Sequence, residues 1–341
     1  MLLTYLRRKA PSAVLLMLLL SIIYFFVTFL GDPTKEDISK SSDFSVVSAY
    51  MIADRNKTLK QILSDKSLFV PSPVKDLPWN FDPQAYWLHL TIRNHTDKLA
   101  DLVAHFDNSM LDELDVYQLK SVHSELKYSR LGDRREVDPI QRFSPHFSFD
   151  TAANSESNLY IRIATTGISN TPIRIYDRVS FDRLVEKTHL LWGVFVGVLV
   201  IIGLYNLVLY FTVKDSVYLT YNAYILSSLA LMGVVSGGGV YIFPDKIHMF
   251  FSHQVVSINC LVVIFVILFL VQFLKFNIEK SWHYNLAVSM IGMASLLFFV
   301  SLWVPEYISA KIFFVYLPCV YVVCLVLMFN KIRSGLRWGK L

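Results

Sequence analysis

Four carboxylates crowd one short stretch of this chain: Asp107, Asp112, Glu113 and Asp115. Such a group could ligate a hard cation or supply the acid and base of a glycosidase. The stretch lacks the central glycine and terminal glutamate of a calcium loop, and it falls across a turn between two strand-like runs, where solvated carboxylates belong. His89, His105, His123 and His146 stand isolated, without an HExxH pair or clustered zinc ligands. Cys260, Cys319 and Cys324 lie in apolar runs without ligand spacing or a completing histidine. Gly237-Gly238-Gly239 has no P-loop lysine, and no G-x-S-x-G elbow occurs. Trp79, Phe81, Tyr86 and Trp87 could stack on the C–H face of a sugar or fill a core. No catalytic constellation, cofactor motif or metal site is visible, so the expectation is a protein that is not an enzyme.

The elements that must carry these residues are set by hydropathy. Residues 13–30 hold no charge and follow Arg7, Arg8 and Lys9. A polar block of roughly 155 residues comes next, and then five long apolar runs: Leu190–Thr212, Tyr218–Val235, Val255–Leu274, Leu286–Val304 and Ile312–Phe329. Each run is close to the ~20 residues that cross a hydrocarbon core of ~30 Å. Hydrophobic residues make up 54% of the chain and charged ones 17%, too apolar for an ordinary soluble domain. The net charge of +5 forms no basic stripe, which excludes nucleic acid as a partner. The chain reads as a multi-pass membrane protein.

Charge placement gives orientation. The basic cluster before the first span and Lys331, Arg333, Arg337 and Lys340 after the last both belong in the cytoplasm by the positive-inside rule. An even number of crossings, about six, then separates them. Residues 32–186 lie outside, with Ser236–Gln254 and the turn Pro305–Lys311 on the same side. The outer block contains no cysteine, so its core must hold without disulfides, which suits a bacterial periplasm. The expected location is the bacterial inner membrane. Phe29-Leu30-Gly31 is a poor cleavage site, which favours an uncleaved anchor over a signal peptide for residues 1–31.

After a spacer, residues 32–43, the outer block alternates apolar and polar residues with period two. Strands are predicted at Phe44–Met51, Ala85–Asn94, Asp101–Asp107, Glu113–Leu119, Glu125–Ser129, Gln141–Phe149, Asn158–Thr165 and Ile173–Tyr176, with a short helix over Lys57–Leu63. About eight strands without intervening helices predict an all-β jelly-roll-like sandwich over residues 44–180, followed by an α-helical transmembrane bundle over 187–330 and a short basic tail, 331–341.

Within the bundle, polar residues are the functional candidates. Asn206 stands out, because an amide inside a span must find a partner; it is read either as a helix–helix hydrogen bond or as part of a transmembrane coupling element. Asn222, Asn259 and Gln272 carry the same two readings. No span has an acid or base at mid-membrane, which argues against a proton-coupled transporter.

Several short patterns occur in a telling order. Tyr86-Trp87-Leu88-His89-Leu90-Thr91-Ile92-Arg93-Asn94 precedes Phe106-Asp107-Asn108 and Leu111-Asp112-Glu113-Leu114-Asp115-Val116-Tyr117. Further on come Gly203-Leu204-Tyr205-Asn206-Leu207-Val208-Leu209-Tyr210, Lys214-Asp215-Ser216-Val217-Tyr218-Leu219-Thr220-Tyr221 and Gly239-Val240-Tyr241-Ile242-Phe243-Pro244-Asp245. Over most of residues 44–330 the chain resembles bacterial seven-transmembrane receptors with diverse intracellular signalling modules. The resemblance implies a periplasmic jelly roll akin to carbohydrate-binding modules, a small ligand such as a carbohydrate, and a bundle that relays the signal. Members carry seven spans and then a kinase or cyclase module, whereas this sequence reaches Leu341 after about the fifth, without a phosphoacceptor or cyclase signature. The expectation is a fragment or truncated member, or one that signals through a separate cytoplasmic protein. The alternative is a membrane-anchored periplasmic binding or scaffold protein without a signalling role. The ligand-binding residues are not legible in the sequence.

Overall fold

The computed structural model describes residues 37–38, 42–53, 56–64, 69–72, 85–119, 127–166, 171–273 and 282–333, with side chains as far as Leu327. The N-terminal anchor, Trp79, Phe81, His123 and residues 334–341 of the basic tail lie outside the described residues.

Among the described residues, nine strands make two antiparallel sheets. They are β1 (Phe44–Ala53), β2 (Val70–Ser72), β3 (Ala85–Asn94), β4 (Ala100–Phe106), β5 (Glu113–Leu119), β6 (Lys127–Leu131), β7 (His146–Thr151), β8 (Glu156–Ala164) and β9 (Ile173–Asp177). One sheet has the order β2-β1-β3-β8-β5-β6 and the other β7-β4-β9. The period-two alternation explains the layering. Tyr86, Leu88, Leu90 and Ile92 of β3 point inward with Leu102, Ala104 and Phe106 of β4, Phe147 and Phe149 of β7, and Ile161 and Ile163 of β8. Both sheets feed this one core, and each fully buried aliphatic side chain contributes about 2 kcal/mol.

Two details depart from the sequence reading. The predicted strand Gln141–Phe149 begins as a helical turn, with α1 being Leu59–Ser64 and this second helix, α2, Pro139–Phe143. Asp138 caps α2 by accepting from the Ile140 N–H, and Pro139 presets its first φ. Strand β2 has no counterpart in the prediction: it is three residues long, carries Pro71 and occupies a sheet edge, where a missing N–H is tolerated.

Among the described residues, five helices are long and apolar enough to cross a membrane: α3 (Arg178–Val213), α4 (Ser216–Val235), α6 (Val255–Phe273), α7 (Trp282–Ser301) and α8 (Glu306–Arg333, qualifying over Glu306–Leu327). A 3-10 turn, Gly238–Tyr241, and the short helix α5 (Asp245–Ser252) link α4 to α6. Helices α6, α7 and α8 share a tight core in which Ala287 and Ala294 allow close approach around Cys260, Phe313 and Tyr316. Interhelical hydrogen bonds join Thr220 to Gln272 at 2.9 Å, Ser257 to Ser301 at 2.8 Å, and the Tyr316 hydroxyl to the Met290 carbonyl at 2.7 Å.

Candidate functional site

The sandwich and the bundle meet in a seam that several buried side chains build. No residue separates β9 from α3: Asp177 ends the strand and Arg178 begins the helix. Asp177 caps α3 by accepting from the Ser180 N–H at 3.0 Å. Burial works to raise its carboxyl, but the hydrogen bonds from Ser180 outweigh that and hold it below the usual carboxylate range. Strand β9 is itself paired with β4 from Leu102↔Asp177 to Phe106↔Ile173. A shift in that sheet is therefore a shift of the helix start.

The first turns of α3 cover the outer face of the three-stranded sheet. Phe181 is buried with Val103 and Tyr176. Its ring lies 5.6 Å from His105 and 4.6 Å from His146. Burial pushes the His105 imidazole down to about 4; Asp107 opposes this, and Arg174 and His146 reinforce it. His146 is lowered in the same way, chiefly by burial.

A second contact joins α2 to the bend after α4. The Phe143 ring stacks on His189 of α3 at 4.7 Å and meets Tyr241 edge-on at 5.9 Å. His189 Nε2 and the Tyr241 hydroxyl are 2.9 Å apart. Ser109 Oγ sits 3.1 Å from the Phe143 carbonyl and 3.3 Å from that of Ser236, so one proton is shared between the two halves. Gly237 has φ +70°, and the Arg142 carbonyl occupies the space where a Cβ would stand. Only glycine meets both demands without strain.

Charged groups complete the seam. Arg142 is buried and donates to the carbonyls of Asp133 and Arg135 at 3.0 and 2.9 Å. His248 of α5 is buried near it, and desolvation, with help from the Arg142 charge, lowers it to about 4. Asp133 is raised well above the usual range, first by burial and then by Asp112, with Glu306 at the start of α8 adding to it. Helices α3, α5 and α8 thus present residues to the sandwich, and so do α4 and α6, whose Leu231, Val234, Val255 and Ile258 pack against Met110. A cavity of about 640 Å³ lies in the seam, bounded by the 105–110 segment, Phe143, Arg174 and the outer ends of α3 and α4.

The carboxylates singled out in the sequence are engaged by arginines. Asp107 pairs with Arg174 at 2.6 Å, Asp112 with Arg134 at 3.1 Å, and Glu113 and Asp115 with Arg162 at 2.9 and 2.8 Å, while Arg135 also holds Asp115. Tyr86 is a core residue, and Trp87 is covered by Ile62 of α1. The exposed aromatic on that sheet is Tyr128, stacked on Tyr117 with ring centroids 6.4 Å apart. His89 stacks on Tyr160 at 4.4 Å and bonds Asn158.

Asn206 lies near the end of α3 remote from the sandwich, about 42 Å along the helix from its start. Its amide donates to the Ile202 carbonyl of its own helix at 2.8 Å. It lines a cavity of about 360 Å³ with Asp215, Tyr218, Tyr221 and Gln272. Of the intramembrane amides, Gln272 makes the interhelical bond; Asn259 bonds back to Val255, and Asn222 Oδ1 is 3.4 Å from where Gly203 would carry a Cβ. Sequence polarity pointed to Asn206 and the Gly237-Gly238-Gly239 run marked a backbone break next to the bundle, but the sequence gave no sign of Arg142 or Phe143.

Residues 47–177 match the family described as 7TMR-DISM extracellular 2, and residues 188–341 match 7TM diverse intracellular signalling. The two matches span the sandwich and the helices on either side of the seam. No curated protein matches the chain.

Proposed function

We propose, for a chain that belongs to the family of seven-transmembrane receptors with diverse intracellular signalling, a sensory role in which the sandwich takes up a small ligand and the helices carry its state across the membrane. The observation that carries this is the strand-to-helix continuity at Asp177–Arg178, reinforced by Phe143, Gly237 and Arg142. Relay needs two arrangements of sandwich and bundle, and a ligand that binds one of them more tightly. The inner ends of the helices would pass the change to a cytoplasmic signalling protein.

The sandwich is read as periplasmic, in the inner membrane of a bacterium, and the end of α8 as cytoplasmic. In support, the bend after α4 and the start of α8 face the sandwich, while the matched basic clusters favour the opposite side. A jelly-roll reading is supported by the β4–β7 pairing of one sheet lying nested in sequence within the β3–β8 pairing of the other. A carbohydrate ligand rests on the exposed Tyr128 and on the family likeness. A role without catalysis fits carboxylates already committed to arginines.

The test is photocrosslinking in native membranes from a reactive residue placed at Val213, at the inner end of α3. Capture of a kinase, cyclase or other signalling protein is the expected result. Crosslinks confined to partners of the sandwich, from a probe at Tyr128, would favour an anchored scaffold instead.

A further inference from the structure

We infer that the cavity at the end of the bundle remote from the sandwich is a binding site for a small organic cation, of the size and kind of a quaternary ammonium. Its volume of about 360 Å³ is in the range of small-molecule sites. Four aromatic rings line it: Tyr218 and Tyr221 from α4, and Phe269 and Phe273 from α6. The Phe269 centroid lies 5.0 Å from that of Tyr221 and 5.5 Å from that of Phe273, so three rings form one continuous wall. Aromatic faces attract a cation held within about 6 Å of the ring centre.

The charged lining has one sign. Asp215 contributes an exposed carboxylate, and no lysine, arginine or histidine stands among the described residues of the wall. Asp215 caps α4 by accepting from the Val217 N–H at 3.0 Å, which uses only one of the bonds that its two oxygens accept. It has no ion pair among the described residues, and its neighbour Lys214 holds its ammonium 5.6 Å from the centre of the Phe211 ring instead. Asn206, only 8% exposed, donates from Nδ2 to the Ile202 carbonyl, while its Oδ1 accepts no bond among the described residues. Carboxylate, amide oxygen and ring faces all favour positive charge. An anion would be repelled by Asp215, and a hydrocarbon would leave both oxygens without a partner. A compact organic cation suits the whole wall.

The occupant would touch α3 through Asn206, α4 through Tyr221 and α6 through Phe269, and so tie three helix ends together. That it would also bias their arrangement rests on the sensory reading, whereas the binding itself does not.

Two sources supply this chemistry: a water-soluble cation and the ammonium headgroup of a membrane lipid. The experiment uses the full chain in dodecyl maltoside micelles, with choline titrated calorimetrically at about 0.15 M salt. Its carbon counterpart, 3,3-dimethylbutan-1-ol, keeps the shape without the charge. Choline should bind saturably, and the alcohol at least roughly tenfold more weakly. Asp215→Asn keeps a good helix cap but removes the charge, and should weaken choline roughly threefold or more. Phe273→Leu, at an exposed position, should do the same, and Tyr221→Leu should cost roughly tenfold; the first two decide where the third disturbs folding. Micelles doped with phosphatidylethanolamine or with diacylglycerol distinguish the sources. Choline weakened only by the former assigns the site to the headgroup, and choline unaffected by either assigns it to the soluble cation. Equal weakening by both would place an acyl chain in the cavity and overturn the proposal. So would no saturable binding, alcohol binding as tight as choline, or an unchanged affinity in either Asp215→Asn or Phe273→Leu. Binding that emerges only after residues 334–341 are removed would give the rings to the chain's own basic tail, and likewise overturn it. Each of these failures leaves the sensory reading standing, because the sandwich takes up its ligand elsewhere.

Discussion

Phe143 of the sandwich stacks on His189 of α3 with ring centroids 4.7 Å apart, and the His189 imidazole in turn bonds the Tyr241 hydroxyl at 2.9 Å. One aromatic side chain therefore ties three segments together: α2, α3 and the 3-10 turn. Phe143→Ala should lower the stability of the docked arrangement by about 3 kcal/mol, since it removes a buried ring and its contacts. Thermal melting of the full chain in nanodiscs, followed by near-ultraviolet circular dichroism, would show it. An unchanged melting temperature would mean that the ring contributes nothing to docking.

Gly237→Ala addresses the same seam through the backbone. A residue with φ +70° costs a non-glycine about 1–2 kcal/mol, and the added Cβ must displace the Arg142 carbonyl. The expected outcome is faster protease cleavage around α2 with the bundle helices intact. Wild-type cleavage rates would show that α2 does not need this close approach.

How much of this was legible is clear from particular residues. Strands β3 and β5 were readable because Tyr86, Leu88, Leu90 and Ile92, and likewise Leu114 and Val116, sit at period two and are buried on one face. Helix α2 escaped because one turn has too few residues to show a 3.6 period, although Asp138-Pro139 is a capping signal. Asp177 and Ser180 likewise marked the start of α3, twelve residues before hydropathy rises at Leu190. The seam itself joins residues such as Ser109 and Ser236, 127 positions apart, and no local pattern reports such a contact.

The buried histidines predict a pH response. His105 and His248 each titrate near 4 in the folded chain, mainly because burial disfavours the cation, against 6.5 when unfolded. The unfolded state binds protons first, so stability is full above about pH 6.5 and falls as pH drops toward about 4. His146 acts in the same direction. Asp133 acts oppositely: its raised value makes it destabilising when ionised, and protonation relieves this at low pH. In an Asp133→Asn background, His105→Phe should flatten the slope by about one proton while keeping the contact with Phe181. Denaturant titrations at several pH values would measure it, and an unaltered slope would place the proton elsewhere.

Within the bundle, Asn206→Leu should barely change stability in detergent, because its amide bonds its own helix at Ile202. Gln272→Leu removes the bond to Thr220 and should cost about 0.6 kcal/mol. A larger loss for Asn206→Leu than for Gln272→Leu would reveal a partner that Asn206 takes up in another arrangement, and would favour its coupling role.

The relay is tested most directly at the end of the bundle remote from the sandwich. Spin labels at Val213→Cys and Leu325→Cys, both on exposed helix faces, would be placed in a chain whose Cys260, Cys319 and Cys324 are replaced by alanine. Double electron–electron resonance then compares the intact seam with Phe143→Ala. A relay through the seam predicts that loosening it shifts or broadens the distance between the two labels, far from the substituted residue. Identical distance distributions, with the sandwich demonstrably undocked, would contradict it.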